Sequence, residues 1–125
     1  MQNLEIVGIV NAYTAQIGKE GIRLPAPVAW KRRVNLAHLM KTKDIIDEAI
    51  REVSDRYTDD EHSTPGENGT RMVKPEYMTE FLKAQNEIMV QETDVDIRKV
   101  KIEELGDVSL TDAEMDTIAF MIEEE

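Results

Sequence analysis

A row of residues at helical spacing through the middle of the chain constrains the fold most. Between residues 26 and 57 steps of three and four residues separate its members, which we call the central row: Leu36, Leu39, Lys43, Ile46, Ile50, Val53 and Tyr57. This spacing places side chains on one face of a helix. A helix over 26–57 is about 48 Å long at about 1.5 Å per residue, and we expect it to be too long for a small core to cover. The central row therefore predicts an interface with a second copy of the chain.

Lys43 is the charged member of the central row. A charged residue at such a position either extends to the edge of the interface or sets its register and the number of chains.

The composition predicts one soluble domain over residues 1–125. Hydrophobic residues make up 41% of the chain against 33% charged residues, which separates it from disordered chains. With no cysteine, the 125 residues cannot form disulfides or thiolate sites. The start, Met1-Gln2-Asn3, differs from a secretion signal, and the apolar stretches are shorter than a membrane span. We expect a cytoplasmic protein that does not enter the membrane.

The N-terminal segment and connector occupy residues 1–25. Asn3 can cap a helix whose apolar positions recur until Gly18, which can end it; these positions are Ile6, Val10, Tyr13 and Ile17. The β-branched residues between Leu4 and Val10 also permit a strand, and this alternative stays open. Prolines at 25 and 27 then favour an extended connector before the long helix.

Residues 58–74 predict a flexible tip, and residues 75–91 a return helix. The tip has no periodicity, but Asn68-Gly69 favours a tight turn across which Arg71-Met72-Val73 can pair as a minimal hairpin. Pro75 suits a first helical turn, and an apolar stripe follows it. The return helix would pack antiparallel to the long helix, which gives a helical hairpin.

The C-terminal part predicts one strand and one short helix. Residues 94–103 alternate apolar and charged side chains with a phase slip at Lys99, as in a half-buried strand with a bulge. Such a strand needs a partner, either another copy, an N-terminal strand or the connector at Ile22-Arg23-Leu24. In the helix at 111–123, Thr111 and Glu114 match a capping box, and Leu110 and Met115 a hydrophobic staple. The terminal glutamates are expected to fray. The predicted fold class is mainly α with minor β.

The charge is distributed unevenly, and the sequence favours binding over catalysis. Residues 1–34 carry five basic and two acidic side chains, whereas residues 75–125 carry four and fifteen. His38 and His62 are 24 positions apart, the glycines match no phosphate-binding motif, and we predict no metal, no cofactor and no enzyme activity. A net charge of −11 opposes duplex DNA.

One dense basic cluster stands out in this acidic chain. Trp30-Lys31-Arg32-Arg33 opens the long helix, with Arg23 upstream. A tryptophan ring can stack on a ligand, and arginine forks fit phosphate oxygens, so a phosphate-bearing or nucleotide-like small molecule can bind here. In the alternative interpretation Trp30 packs in the core and the basic residues pair with the acidic C-terminal helix of the same or a neighbouring subunit.

The order of these pieces resembles a family of small phage- and prophage-encoded proteins of uncharacterised function. The resemblance covers nearly the whole chain and includes Arg23-Leu24-Pro25, Trp30-Lys31-Arg32 with Asn35, Asn68-Gly69, Phe81, Val95-Asp96-Ile97, and the run from Phe120 to Glu124. It implies a viral product in the bacterial host cytoplasm or in the virion.

The expected function is that of a non-enzymatic binding protein that counters or modulates a bacterial host system. It would block a host protein or sequester an anionic nucleotide-like ligand at the basic cluster. The alternative is a structural or assembly accessory of the virion that acts through protein–protein docking.

Overall fold

The computed structural model describes residues 1–16 and 23–123, which form a mainly helical fold. Its main elements are the helices α1 (Asn3–Gln16), α2 (Ala26–Tyr57), α3 (Pro75–Met89) and α4 (Asp112–Ile118), and the strands β1 (Ser63–Pro65) and β2 (Arg71–Val73). Short 3-10 helices span Glu67–Gly69, Ile102–Leu105 and Ala119–Met121. The predicted helix stop at Gly18, the positions of Ile17 and Ile22, and the last two glutamates lie outside the described residues.

The first segment is a helix, which decides between the helix and the strand left open by the sequence. Ile6 and Val10 are buried on the inner face of α1. The prediction that Asn3 caps this helix was wrong, because Asn3 lies inside α1 and its side-chain amide donates to the carbonyl oxygen of Ile88 at 2.7 Å. Asn3 therefore fastens α1 to α3.

Two shorter helices cover the long helix α2. The tip end of α2 meets the start of α3, where the rings of Tyr57 and Phe81 lie 5.4 Å apart. The start of α1 is bonded to the end of α3, and the far end of α1 lies near the start of α2, where Arg32 sits over the ring of Tyr13. At about 1.5 Å per residue, α1 and α3 together span about 43 Å, close to the length of α2.

This arrangement corrects the argument for an interface along the central row. Leu36, Leu39, Ile46 and Val53 are each at most 5% exposed within one chain, and Ile50 and Tyr57 are half-buried. Lys43 is half-buried and pairs with Asp47 one turn later at 2.6 Å. The prediction that one chain cannot shelter this row was wrong, because it assumed a core too small for the length of α2, whereas α1 and α3 cover successive parts of it. Self-association stays a prediction without this support.

A second buried cluster joins the start of α2 to the C-terminal part of the chain. Its buried members are Val28, Val100, Leu105, Ile118 and Met121. The predicted capping box is confirmed, since the Thr111 hydroxyl accepts from the Glu114 amide and the Glu114 carboxylate accepts from the Thr111 amide, both at 3.1 Å. Leu110 and Met115 both pack on this cluster.

The C-terminal helix is shorter than the predicted 111–123. It ends at Ile118, and a 3-10 turn continues to Met121. Beyond that turn the backbone becomes extended, because the amide of Glu123 donates to the carbonyl of Val100 and the amide of Val100 donates to Met121, both at 2.8 Å.

The prediction of a strand over 94–103 was wrong. The segment is extended, but a parallel bridge between Val100 and Ile122 is its only ladder contact in the described part of the chain. Its inward residues are Val95, Ile97 and Val100, which matches the predicted alternation and its phase slip, whereas Ile102 is exposed. Side chains of α2 replace the missing partner strand, as described below.

The tip carries the predicted minimal hairpin. Strands β1 and β2 are antiparallel, with Ser63 opposite Val73 and Pro65 opposite Arg71. Asn68 and Gly69 both adopt positive φ values, as a tight turn requires. Arg71 also donates to the Ser63 hydroxyl and to the Asp60 carboxylate. The tip therefore has more regular structure than the predicted irregular loop. Among the described helices, none combines the length and apolarity needed to cross a membrane.

Candidate functional site

In the part of the chain that the structure describes, the N-terminal half of α2 is covered on two sides and carries a groove on a third side. On the first side, Tyr13 of α1 packs against Arg32. On the second side, the extended segment is held by Asn35, whose amide nitrogen donates to the Arg98 carbonyl at 3.0 Å and whose oxygen accepts from the Arg98 amide at 2.7 Å. Asn35 thus presents to this segment the same donor and acceptor that a neighbouring strand would present.

Two further side chains strengthen the second side. The ring of His38 bonds the carbonyl oxygen of Asp96 through Nδ1 at 2.8 Å. The ammonium group of Lys31 donates to the carbonyl of Lys99 at 3.4 Å and to the carboxylate of Glu104 at 3.3 Å. The Lys101 amide and the Lys31 ammonium both donate to this carboxylate and hold the pKa of Glu104 below its ordinary value.

A groove of about 580 Å³ runs along the third side, and we call it the α2 groove. This volume lies within the range of small-molecule sites. Two of its described lining residues are arginines, Arg32 and Arg33. The other eight are apolar or aromatic: Tyr13, Leu24, Ala26, Ala29, Trp30, Leu36, Ala37 and Met40.

Arg32 forms the wall of the α2 groove next to α1. Its guanidinium carbon lies 5.2 Å from the centre of the Tyr13 ring, within the range of a cation–π contact. Burial lowers the pKa of Arg32, and Tyr13 acts in the opposite direction. A guanidinium stays charged in proteins, so Arg32 places a partly buried positive charge in the wall of the groove, beside Tyr13. Such a charge interacts more strongly with an anion than one surrounded by water.

Trp30 and Arg33 form the outer part of the α2 groove. Trp30, the only tryptophan of the chain, is 61% exposed, so the alternative in which it packs in the core is wrong. Arg33 is exposed three positions further along the same helix. Residues at this separation are neighbours on a helix surface, and both side chains line the groove.

The structure divides the predicted basic cluster. Trp30, Arg32 and Arg33 all line the α2 groove, whereas Lys31 points to the opposite side and pairs with Glu104. The alternative in which basic residues pair with acids of the C-terminal part therefore fits Lys31, although Glu104 precedes the C-terminal helix. Arg23 is exposed beside Leu24, the residue of the connector that lines the groove.

Sequence reasoning missed the contributions of Tyr13 and Met40 to the α2 groove. The position of Tyr13 could have been predicted, because it lies near the end of α1 and antiparallel packing brings that end to the start of α2. Met40 lies one turn after Leu36 at the outer edge of the groove and is 44% exposed. An exposed methionine ten positions after an exposed tryptophan had no distinct pattern in the sequence.

The tip holds a second group of polar side chains, away from the α2 groove. The Nδ1 atom of His62 lies 2.7 Å from the carboxylate of Asp59, and the His62 ring lies 4.5 Å from that of Tyr77. The bond to His62 lowers the pKa of Asp59. With Glu61, these groups lie close enough together to hold an ion. Asp59 and Glu61 are exposed, however, and the Asp59 carboxylate already accepts a bond from the His62 amide. As predicted, His38 and His62 lie in unrelated surroundings.

No protein-family model, curated protein or solved structure matches this chain. The resemblance to small phage proteins stays a prediction.

Proposed function

We propose that this chain is a non-enzymatic binding protein whose α2 groove holds an anionic small molecule. The observation that carries the proposal is the position of Arg32, which Tyr13 holds in the wall of the same groove that exposes Trp30 and Arg33. The two guanidinium groups supply donors to an anion, and the aromatic rings supply a surface for the rest of the ligand.

The local charge of the α2 groove supports an anion despite the acidic chain as a whole. The net charge of −11 disfavours long polyanions, whose many charges interact with the whole molecule. A small anion interacts mainly with the two guanidinium groups beside it, because salt screens charges more than about 10 Å away. The proposal therefore concerns small molecules and excludes duplex nucleic acid.

The wider role rests on the resemblance to phage proteins. A protein that sequesters a small anion can remove a signal or a metabolite from a bacterial host without any chemical step. This would make the chain a counter-defence or modulating protein in the host cytoplasm.

Thermal unfolding of the full chain in the presence of different anions tests the binding proposal. The panel contains pyrophosphate, AMP, cyclic nucleotides, and aryl and alkyl carboxylates. A ligand that binds the native state raises the melting temperature in a concentration-dependent way. R33Q should reduce this shift, and R51Q, a matched change at an exposed arginine of the tip-side half of α2, should leave it unchanged. Failure of every anion to shift the melting temperature would rule the proposal out.

A second candidate function is docking to another protein chain, as expected for a virion accessory. Met78 and Leu82, one turn apart on α3, are 38% and 55% exposed, and Ile45 of α2 is 62% exposed. Exposed apolar side chains of this size favour protein contacts when they adjoin. Light scattering over a wide range of protein concentrations tests self-association. L82Q should lower the molar mass if α3 provides the contact, whereas a constant monomer mass would contradict docking to a second copy.

A further inference from the structure

We infer that the ligand of the α2 groove is an amphiphilic anion, with one compact charged head and an extended apolar body, of the class of fatty acids and related carboxylates. This inference rests on the proposed function and specifies the chemistry of its ligand. It is drawn from the order in which charged and apolar residues follow one another along the groove.

The two arginines lie in the middle of the α2 groove. Along α2 the lining runs from Ala26 to Met40, about 21 Å at about 1.5 Å per residue. Arg32 and Arg33 lie about 10 Å from either end of this stretch. A compact anionic head at the arginines therefore leaves apolar surface on both sides of it.

The apolar surface extends along α2, and small alanine side chains make up part of it. Toward the start of α2 the groove offers alanines at 26 and 29 and the exposed indole of Trp30. Toward the middle of α2 it offers Leu36, Ala37 and Met40. Small side chains between larger ones leave room for an alkyl chain or a flat ring to lie along the helix, and an exposed methionine adapts its shape to such a body.

A nucleotide matches this lining less well than an amphiphile. Its phosphate would meet the guanidinium groups, but among the described lining residues its ribose hydroxyls and the polar edge of its base would face mainly aliphatic and aromatic carbon atoms. Polar groups that leave water without a hydrogen-bond partner reduce affinity. A methylene chain gains from the same contacts, on the order of fourfold in affinity for each methylene that becomes fully buried.

Trp30 provides a direct measurement, because it is the only tryptophan and lies in the α2 groove. The full chain is titrated with hexanoate, decanoate and tetradecanoate below their micelle concentrations while indole fluorescence is followed. Decan-1-ol, AMP and vesicles of phosphatidylglycerol are titrated in parallel. We expect saturable binding that tightens from hexanoate to decanoate, and binding of decanoate at least tenfold tighter than that of decan-1-ol.

The arginine variants identify the charged head. R33Q changes an exposed side chain and should keep the fold, and it should weaken decanoate several-fold while leaving decan-1-ol unchanged. R32K keeps the charge but loses the planar contact with Tyr13, and it should also weaken decanoate. R51Q is the matched control and should bind like the unchanged chain.

The outcomes separate this inference from the proposed function. Binding of AMP without binding of the carboxylates would overturn the amphiphile inference and leave the anion-binding function standing. Equal affinity for decanoate and decan-1-ol, or binding to the vesicles alone, would also overturn it. A lack of binding by every anion, in fluorescence as in melting, would overturn both.

Discussion

The side-chain amide of Asn3 donates a 2.7 Å hydrogen bond to the carbonyl oxygen of Ile88, 85 positions away in the chain. The bond joins the first turn of α1 to the last turn of α3, where helix carbonyls lack partners within the helix. The Asn3 amide oxygen also accepts from the Thr93 hydroxyl at 2.6 Å, and its backbone amide donates to Gln91. Through this junction two short helices act as one continuous cover for α2.

Replacement of Asn3 should weaken the junction and the whole fold. Asn3 is 6% exposed, and N3A removes the acceptor of the Thr93 hydroxyl and one of two donors to the Ile88 carbonyl, which also accepts from the Gln91 amide. We expect the free energy of unfolding to fall by about 1–3 kcal/mol, measured by urea denaturation. N86A, at an exposed position of α3, is the matched control and should change it by less than about 0.5 kcal/mol. Equal effects of the two variants would contradict the role of the junction.

Asn35 joins α2 to the backbone of Arg98 on the other side of the helix, and the variant N35D tests this contact. The variant keeps an oxygen that accepts from the Arg98 amide but places a second oxygen against the Arg98 carbonyl. Because Asn35 is fully buried, we expect a loss of at least about 2 kcal/mol in stability. Hydrogen exchange should show faster exchange of the Arg98 amide. Unchanged protection of that amide would show that the segment is held by other contacts.

Local pattern predicted the helices of this fold better than the extended segment. The bounds of α2 followed from Pro25 and Pro27 at its start and from the steps of three and four along the central row. Residues 94–103 showed three of the inward positions, Val95, Ile97 and Val100, yet the strand was wrong because side chains of α2 bond its backbone. Side chains contributed by a helix some sixty positions earlier leave no periodic signal in the segment that they hold.

The candidate site was predicted in part, for a related reason. Trp30, Arg32 and Arg33 were recognisable as an aromatic and basic cluster in an acidic chain. The direction of each side chain depended on which faces of α2 the rest of the chain covers. That information arises only when α1 and residues 96–121 are packed, so the different orientation of Lys31 could not be read from the sequence.

Lys31 should be dispensable for ligand binding although it lies between two groove residues. Its ammonium faces Glu104 on the opposite side of α2 from the groove. K31Q should leave the anion-induced rise in melting temperature unchanged, whereas R33Q should reduce it. The pair is partly exposed and screened by solvent, so the loss of stability should be small. A K31Q variant that binds as weakly as R33Q would contradict this assignment.

Acid should break the bond between Asp59 and His62 at the tip. The bond to His62 lowers the pKa of Asp59 in the folded state. The stability that ionised Asp59 contributes is therefore fully present above its ordinary pKa of about 4. It is lost as the pH falls through the lowered pKa. The ring resonances of His62 and Tyr77 should shift over this range in NMR spectra. D59N should remove that transition, and D55N, at an exposed position of α2, should retain it.

Because one chain covers the central row, the stability of the fold should not depend on protein concentration. Leu39 is fully buried beside α1, so L39A should reduce the free energy of unfolding by about 2–5 kcal/mol through the cavity that it leaves. I45A, at an exposed position of the same helix, should have an effect below about 1 kcal/mol. Because the cover of Leu39 belongs to its own chain, the urea midpoints of the unchanged chain and of L39A should stay constant over a hundredfold range of protein concentration. A midpoint that rises with concentration, and does so less in L39A, would mean that a second copy completes the cover.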